Sequence, residues 1–507
     1  MTAPVSPVSP EPPNAADIEW LSHAVRRFAA EQPDKPAVIE ARTDDMLSWR
    51  ELDEQSEVVA RGLFSAGTRQ GDLVSITLPN SIDFVIALIA TWKAAATPQP
   101  LSTKLAPAEV QAIAEIANPT VIIGTDETAE RFGLQITTLD ELRRLGAEFT
   151  GNLPDLLAPS LKAPTSGGST GRPKVIVHGT PAVADPLMPT LWLLGRDDIS
   201  LVSAPMHHNA PFLATLLTLS VGGTVVLMDR FNAEAVLANI ESYQCSWLYA
   251  VPIMMHRIWA LPAKTRAAYD ISSLRRMWHM GAPCPAWLKR NWIDWVGAET
   301  VMELYGGTEA QAATTLSGTE WLAHEGSVGT VKSGEIVIMD PEHRILPAGQ
   351  TGEVWMRRLP DRDATYRYLG AEATTYDDGS AIPWETLGDI GYFDEDGYLY
   401  LEDRKSDMIL VGGINVFPAE IEAALLSHPA VDSAAVIGLP DEEYGNRVHA
   451  IIHADPATKT DDILRHLDTQ LSPYKRPRSI EITDQPLRDD AGKIRRSALR
   501  AQRLGQE

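Results

Sequence analysis

Residues 165–179 read TSGGSTGRPKVIVHG. Glycines and hydroxyls fill the first half, and a single Arg-Pro-Lys follows. Glycine lets several backbone N–H groups converge on one anion, while Ser/Thr hydroxyls and a lysine add donors. The composition therefore points to a phosphate. The stretch is not a G-x-x-x-x-G-K-[ST] loop, because Val175 rather than a hydroxyl follows Lys174.

Four more segments carry groups suited to the rest of a nucleotide. Residues 303–310, ELYGGTEA, place an aromatic, two glycines, a hydroxyl and a carboxylate within five positions. Tyr305 can stack on a base, Thr308 can donate to a phosphate, and Glu309 can hold a hard divalent cation. Asp389, in Thr386-Leu387-Gly388-Asp389, can accept from two ribose hydroxyls, each charged hydrogen bond contributing roughly 1.5–3 kcal/mol. Residues 403–420, DRKSDMILVGGINVFPAE, place Arg404 fifteen residues after Asp389. Near the end, residues 491–495 (AGKIR) present Lys493 behind a glycine.

These groups need a scaffold. Helical spacing marks residues 20–30, 49–66 and 81–95, and β-rich runs occupy 73–78 and 121–124. Alternation continues through runs at 199–204, 224–228 and 247–251, which predicts an α/β chain with largely parallel sheets. From Gly326 onward, short strands at 335–340, 352–356 and 397–401 predict a small β-rich unit. The charged stretch 402–407 (EDRKSD) interrupts. Beyond it, a helix at 418–426 with Pro in its first turn, strands at 431–438 and 448–453, and a helix at 463–470 predict a compact α/β segment. The expected architecture is a large N-terminal domain of α/β subdomains with the β-rich unit, residues 16–404. A small mobile C-terminal α/β domain, residues 405–507, follows a boundary near Lys405 and Ser406.

Composition narrows the function. The chain has 507 residues, too many for one core, with 44% hydrophobic and 22% charged residues. A net charge of −24 without a basic block disfavours nucleic acid as a partner. Cys245 and Cys284 alone build neither a zinc site nor a disulfide framework, which fits a reduced, cytoplasmic setting. Residues 1–15 (MTAPVSPVSPEPPNA) are Pro-rich, lack a basic start and an apolar core, and read as a disordered tail rather than a signal peptide. The apolar run at 84–92 is about half the length a membrane span requires.

The five motifs, in this order over about residues 20–500, resemble the adenylate-forming superfamily of acyl-CoA synthetases, luciferases and peptide-synthetase adenylation domains. The resemblance implies two steps. A carboxylate attacks the α-phosphate of ATP·Mg²⁺, and a thiol, that of coenzyme A, then displaces AMP. It implies that Ser166, Gly167, Gly168, Ser169, Thr170 and Gly171, with Lys174, wrap the β- and γ-phosphates. Thr308 then touches the α-phosphate and Glu309 holds Mg²⁺. Gly281, Ala282, Pro283, Tyr305 and Gly306 border the adenine, and Asp389 holds the ribose with Arg404 and Leu401 nearby. Lys493 bridges carboxylate and α-phosphate during adenylation. The C-terminal domain then rotates about a hinge after Arg404, and Val411, Gly412 and Gly413 line the pantetheine channel.

The sequence departs from the family pattern at Gly167, where a Ser is common, at Val175, where a Gly commonly follows the Lys, and at Ser406, usually Asp or Lys. Fewer loop donors open a second expectation, a half-reaction specialist that thioesterifies an acyl-adenylate supplied by a partner enzyme. A non-catalytic nucleotide-binding protein is the remaining alternative, disfavoured by Lys493. Residues 205–212, PMHHNAPF, lack the carboxylate that would pair an amino-acid ammonium. By the resemblance, His208 sits at a gating position. His207, His208, Phe212, Met280 and Gly307 are expected to border the acid, among the large soft residues Met206, Trp278 and His279. GGSTGRPK and PMHHNAPF together resemble the branch of bile-acid and related alicyclic-acid ligases, implying a steroid- or diterpenoid-like acid, with a medium-chain fatty acid or an aryl acid as the alternatives. No phosphopantetheine Ser motif follows Lys493, so the acceptor is expected to be free coenzyme A, with a discrete acyl carrier protein as the alternative.

Overall fold

The computed structural model describes residues 18–167, 173–185, 187–359, 363–411, 414–441, 443–489 and 492–505. The expected N-terminal tail lies outside the described residues.

The fold is a mixed α/β architecture with a large N-terminal part and a small C-terminal part. Strands Pro36–Glu40, Thr224–Leu227, Ile199–Val202, Trp247–Ala250, Arg276–His279 and Val301–Gly306 run parallel in that spatial order. Thr224–Leu227 and Trp247–Ala250 are buried at every position, as strands covered by helices on both faces must be. A second parallel sheet orders Thr97–Pro100, Leu73–Ile76, Val121–Gly124 and Thr137–Thr138. Helix Ile82–Lys93 is apolar on all sides and almost wholly buried. Helix Trp49–Ser65 starts at a capping box in which Ser48 and Glu51 satisfy each other's backbone N–H. Among the described residues no helix is long and apolar enough to cross a membrane.

The β-rich segment differs from expectation in one respect. Its strands build hydrophobic clusters of their own, on Ile336, Val354 and Leu399 and on Val337, Trp355 and Trp384, as a β-rich unit should, yet they also continue the ladder of the large sheet. Val301–Gly306 pairs antiparallel with Ala313–Ser317, and the ladder continues through Ser327–Ser333, Leu399–Arg404, Trp384–Phe393, Gly352–Arg357 and Glu335–Met339. The free edge of the last parallel strand is capped by its own chain returning after a short loop, which leaves no open edge there. Bulges at Ala313/Thr314 and Ser327/Gly329 add twist and bend the extension.

Beyond the turn at 405–407, the described residues between 409 and 471 gather around a hydrophobic cluster of their own, built on Val416, Ile421, Leu425, Ala450, Ile452 and Leu467. Glu422, buried there, receives Arg496 at 2.9 and 3.0 Å, and Arg496 also bonds Asp407 at 2.7 Å. The last helix, Arg496–Arg503, is thereby tied both to that core and to the turn that enters it.

Under the carboxyl edge of the parallel strands lies a buried polar pair. Lys289, 1% exposed, bonds Glu303, and its ammonium also sits 5.1 Å from the Trp321 ring centroid. His279 is fully buried beside them, 3.8 Å from Glu303. Burial pushes its imidazole down to about 4, so it is neutral near pH 7 and Lys289 alone balances Glu303. Lys289→Met should therefore destabilise the fold by about 3–5 kcal/mol, because it strands a buried carboxylate. The double variant Lys289→Met/Glu303→Leu should recover most of that loss. Urea midpoints of the two variants check this, and a single variant as stable as the parent would rule the account out.

Candidate active site

Strands Arg276–His279 and Val301–Gly306 end on one edge of the sheet, and such carboxyl edges are where open α/β sheets hold ligands. A cleft of about 2850 Å³ opens there. Its walls are the loops that leave these two strands, strand Pro173–His178, the end of Leu399–Arg404, and residues 492–498.

One end of the cleft is organised around Glu309, 5% exposed. Lys174 Nζ lies 3.2 Å from Glu309 Oε1 and 2.8 Å from Tyr368 Oη, and Tyr368 Oη donates to the same carboxylate oxygen at 2.5 Å. The Lys174 ammonium also stands 3.9 Å from the Tyr368 ring centroid. Burial, then the hydrogen bond to Glu309, pushes the Tyr368 phenol far above its ordinary range, so it stays a donor. The geometry follows from pairing. Strand Pro173–His178 is sandwiched between Thr165–Gly167 and Tyr366–Leu369, both antiparallel to it. Ser166 and Gly167 lie opposite Lys174 and Pro173. Gly168, Ser169, Thr170 and Gly171 lie outside the described residues. At Gly307 a Cβ would fall 2.5 Å from Leu387 Cδ1 and 2.9 Å from Glu309 Oε2, so a larger residue there would displace the ends of those two side chains. Thr308, half-buried, lines the cleft between them, and Gly306 borders it.

The other end is organised around Asp389. Tyr305 Oη donates to Asp389 Oδ2 at 2.7 Å, and Arg404 Nε reaches Oδ1 at 3.2 Å. Asp389 and Arg404 face each other across the ladder. Burial, then the Asp389 charge, holds the Tyr305 phenol well above its usual range. Gly281, Ala282, Pro283 and Leu401 complete this wall.

Lys493 enters from the C-terminal segment. It is exposed to the open cleft, although protein surrounds it on several sides. Burial and then the Arg404 charge pull its pKa below the ordinary value, against the opposing pull of Asp489 and Glu309. The preceding Gly492 has φ +76° and presses on the large part, where a Cβ would meet Ile253 Cγ2 at 3.0 Å.

Of the residues expected at the acid, His207, His208, Met280 and Gly307 line the cleft. The two histidine rings lie 4.2 Å apart at the start of helix Asn209–Ser220. Phe212 is a correction. It is 1% exposed and packs edge-on against Trp92 in the core, because it points to the side of the helix away from the cavity. Met206, Trp278 and His279 are likewise core residues; Trp278 stacks on Trp192. Val411 packs into the C-terminal core rather than onto the cleft, and Gly412 and Gly413 lie outside the described residues. Sequence reasoning missed Tyr368. Its signal is the Tyr-x-Tyr pattern at 366–368, which puts two phenols on one face of a strand, donating to Glu385 and Glu309. It also missed Lys162, discussed below.

Residues 25–359 match the family described as AMP-binding enzyme, and residues 420–493 match the AMP-binding enzyme C-terminal domain. A feruloyl-CoA synthase from Amycolatopsis is 32% identical over 90% of this chain and 93% of its own length. The 2-succinylbenzoate–CoA ligase of Bacillus licheniformis is 29% identical over 95% of this chain and 98% of its own. Among solved structures, the o-succinylbenzoate CoA synthetase of Bacillus subtilis, in complex with an acyl-adenylate intermediate, aligns with a TM-score of 0.79 at 26% identity, covering 95% of this chain and 98% of that one. The motif order, the two-ended cleft and these matches over both parts of the chain lead to one conclusion: the chain belongs to the AMP-binding enzyme family.

Proposed function

We propose that this protein is an ATP-dependent acyl-CoA ligase that activates a bulky apolar carboxylic acid, alicyclic or polycyclic, through an acyl-adenylate. The observation that carries the reading is the arrangement of three groups around one cleft. Lys174 with Tyr368 and Glu309 stands at one end, Tyr305 with Asp389 and Arg404 at the other, and Lys493 enters from the C-terminal segment.

Step one brings a carboxylate against a phosphate, so the chain must supply positive charge and donors where negative charge builds up. In this reading Lys174 and the backbone of residues 166–171 bind the β- and γ-phosphates, and Thr308 donates to the α-phosphate. Asp389 accepts from the ribose hydroxyls while Tyr305 and Arg404 fix its orientation, and Gly281, Ala282 and Pro283 border the adenine. Glu309 suits magnesium, which typically uses one or two carboxylates together with substrate phosphates; when bound it would neutralise phosphate charge. Lys493 orients the attacking carboxylate and the α-phosphate oxygens.

The acid arm continues from His207 and His208 along helix Asn209–Ser220. Ala210, Leu213, Leu216 and Leu217 form one stripe of that helix on the cleft, faced by Met188 and Trp192. An apolar wall of this extent supports a large apolar acid. His208 is proposed as the gate at its mouth. We also propose that the chain divides into residues 16–404 and a C-terminal domain, 405–507, which turns about the exposed residues Lys405 and Ser406. That turn would withdraw Lys493 and bring Val411, Gly412 and Gly413 to the pantetheine of coenzyme A, the proposed acceptor.

Acid-dependent ATP–pyrophosphate exchange without coenzyme A tests the reading. Exchange with alicyclic or polycyclic acids is expected; exchange with small aryl or linear acids alone would refute the proposed substrate class. Lys493→Ala should lower exchange by roughly 10²–10³-fold. It should leave conversion of a supplied acyl-adenylate to its thioester near the parent rate, and equal loss of both steps would sink the domain turn. Because the Lys493 pKa is lowered, its cation is lost early as pH rises. Exchange should thus decline at a pH below the ordinary lysine range near 10.4, whereas a decline only above that value contradicts a role for this ammonium.

Gly492→Ala adds a strained φ, costing about 1–2 kcal/mol, and a contact with Ile253 that exists only while the two parts are docked as described. Exchange should fall roughly five- to thirty-fold. Adding Ile253→Ala should restore part of it, and no recovery would argue against the docked arrangement as the adenylating one.

A further inference from the structure

Lys162 is the most deeply buried charged residue facing the cleft, 1% exposed. Its backbone is pinned on both sides: the carbonyl accepts from His178 N at 2.9 Å and from Ser160 Oγ at 3.1 Å. The side chain reaches helix Asn209–Ser220, where Nζ bonds Asn209 Oδ1 and lies 5.9 Å from the Phe212 ring centroid. An ammonium has three donors. Among the described residues Asn209 is its only hydrogen-bond acceptor, and no carboxylate pairs with it.

The surroundings make this unusual. Burial lowers the Lys162 pKa to about 7, and burial together with Lys162 drives the His178 imidazole to about 3. Two bases thus share an apolar wall without an acid between them. A charge buried without a partner is costly, and proteins accept it mainly where a ligand completes the set. Asn209 stands at the head of the stripe formed by Ala210, Leu213, Leu216 and Leu217. The ammonium is therefore a polar point on the wall of the acid arm.

We infer that Lys162 is a specificity-determining residue of that arm, donating a hydrogen bond to a second oxygen acceptor, keto or carboxylate, that the acid carries away from its reacting carboxyl. The inference rests on the acid-activating reading above and narrows its substrate class from a bulky apolar acid to one with a remote oxygen function. Asn209 holds the amine in place and leaves its other donors for the ligand.

The test uses the full chain and ATP–pyrophosphate exchange with three matched polycyclic acids: one bare, one with a remote keto group, one with a remote second carboxylate. The readout is the ratio of kcat/KM for each oxygenated acid to that of the bare acid, which a general loss of activity does not move. The parent should favour at least one oxygenated acid by about tenfold or more, as one well-made hydrogen bond allows. Lys162→Met keeps the length and removes the donors, so that ratio should collapse toward one. Asn209→Asp gives the ammonium an internal counter-charge and should likewise erase a preference for the dicarboxylate. Collapse of the keto ratio or of the dicarboxylate ratio supports the inference and identifies the acceptor's charge. Melting temperature with and without ATP shows whether each variant is folded. Should Lys162→Met not fold, Asn209→Asp and the parent's own preference decide. Ratios unchanged in folded variants, or a parent that does not distinguish the three acids, overturn the inference while leaving the ligase reading intact. A parent that exchanges with no acid at all overturns both.

Discussion

The pairing of Trp384–Phe393 with Leu399–Arg404 is the interaction on which the site depends. It sets Asp389 opposite Arg404, and the same ladder runs on through Ser327–Ser333 and Ala313–Ser317 to the strand that carries Tyr305. Tyr305 meets Asp389 and Arg404, two residues of one hairpin more than eighty positions away, because all three are rungs of one sheet. A slip of one residue would turn each of these side chains to the opposite face, so register alone decides whether the cluster exists. The bulge at Ile390/Gly391 lies immediately beside Asp389, and the chain leaves the large part immediately after Arg404. The point where Asp389 and Arg404 meet is therefore also the point from which the C-terminal segment departs.

Charge is distributed under a second constraint. The chain carries −24 overall, yet its cleft must receive anions. It does so with a few cations that have local company rather than with a basic surface. Lys174 shares Glu309 with Tyr368, and Arg404 shares Asp389 with Tyr305. In each case a neutral phenol, kept protonated by burial, lets one carboxylate face a cation without closing off the cleft. Lys493 is different. It comes from another part of the chain, and its pKa is lowered by the burial it meets in the cleft and then by the nearby Arg404 charge. A cation that is poorly stabilised where it stands is easier to withdraw, as an alternating C-terminal domain would require.

The sequence disclosed the groups that chemistry demands and much of the scaffold beneath them. Helix Pro418–Leu426 and strand Val121–Gly124 fall where their patterns place them, since Pro at a first turn and a short β-branched run are local signals. Asp389, Arg404 and Glu309 were legible because their neighbours are glycines and hydroxyls that have little reason to cluster otherwise. Partnership was not legible. The short strands after Gly326 were expected as a β-rich unit, but nothing in their spacing told that they would also continue the ladder of the large sheet. Phe212 and Leu213 illustrate another limit. Apolar residues occur on every side of helix Asn209–Ser220, so no polar face reports which side meets a cavity; Leu213 lines the cleft and Phe212 the core. Tyr368 reaches Lys174 only through a pairing of segments nearly two hundred residues apart.

The division of labour in the cleft bears on how such a fold changes substrate. The groups proposed for the nucleotide sit on strands and on the loops that leave them, where sheet register tolerates little. The proposed acid arm is drawn largely from a single helical stripe, with Met188 and Trp192 on the same cleft and Lys162 at its head. Exchanging side chains along that stripe would alter volume and polarity without touching the ladder, whereas a change among Tyr305, Asp389 and Arg404 would break hydrogen bonds that tie its rungs together. Relatives named for feruloyl and 2-succinylbenzoate substrates, both aligned over more than nine-tenths of their own lengths, fit that economy of means. Within it a buried lysine is a costly ornament. Its ammonium must lose water and keep the neighbouring His178 imidazole neutral, with a single amide oxygen to donate to in return. A methionine would fill the same space with none of these penalties, so the position is best understood through what the acid brings to it.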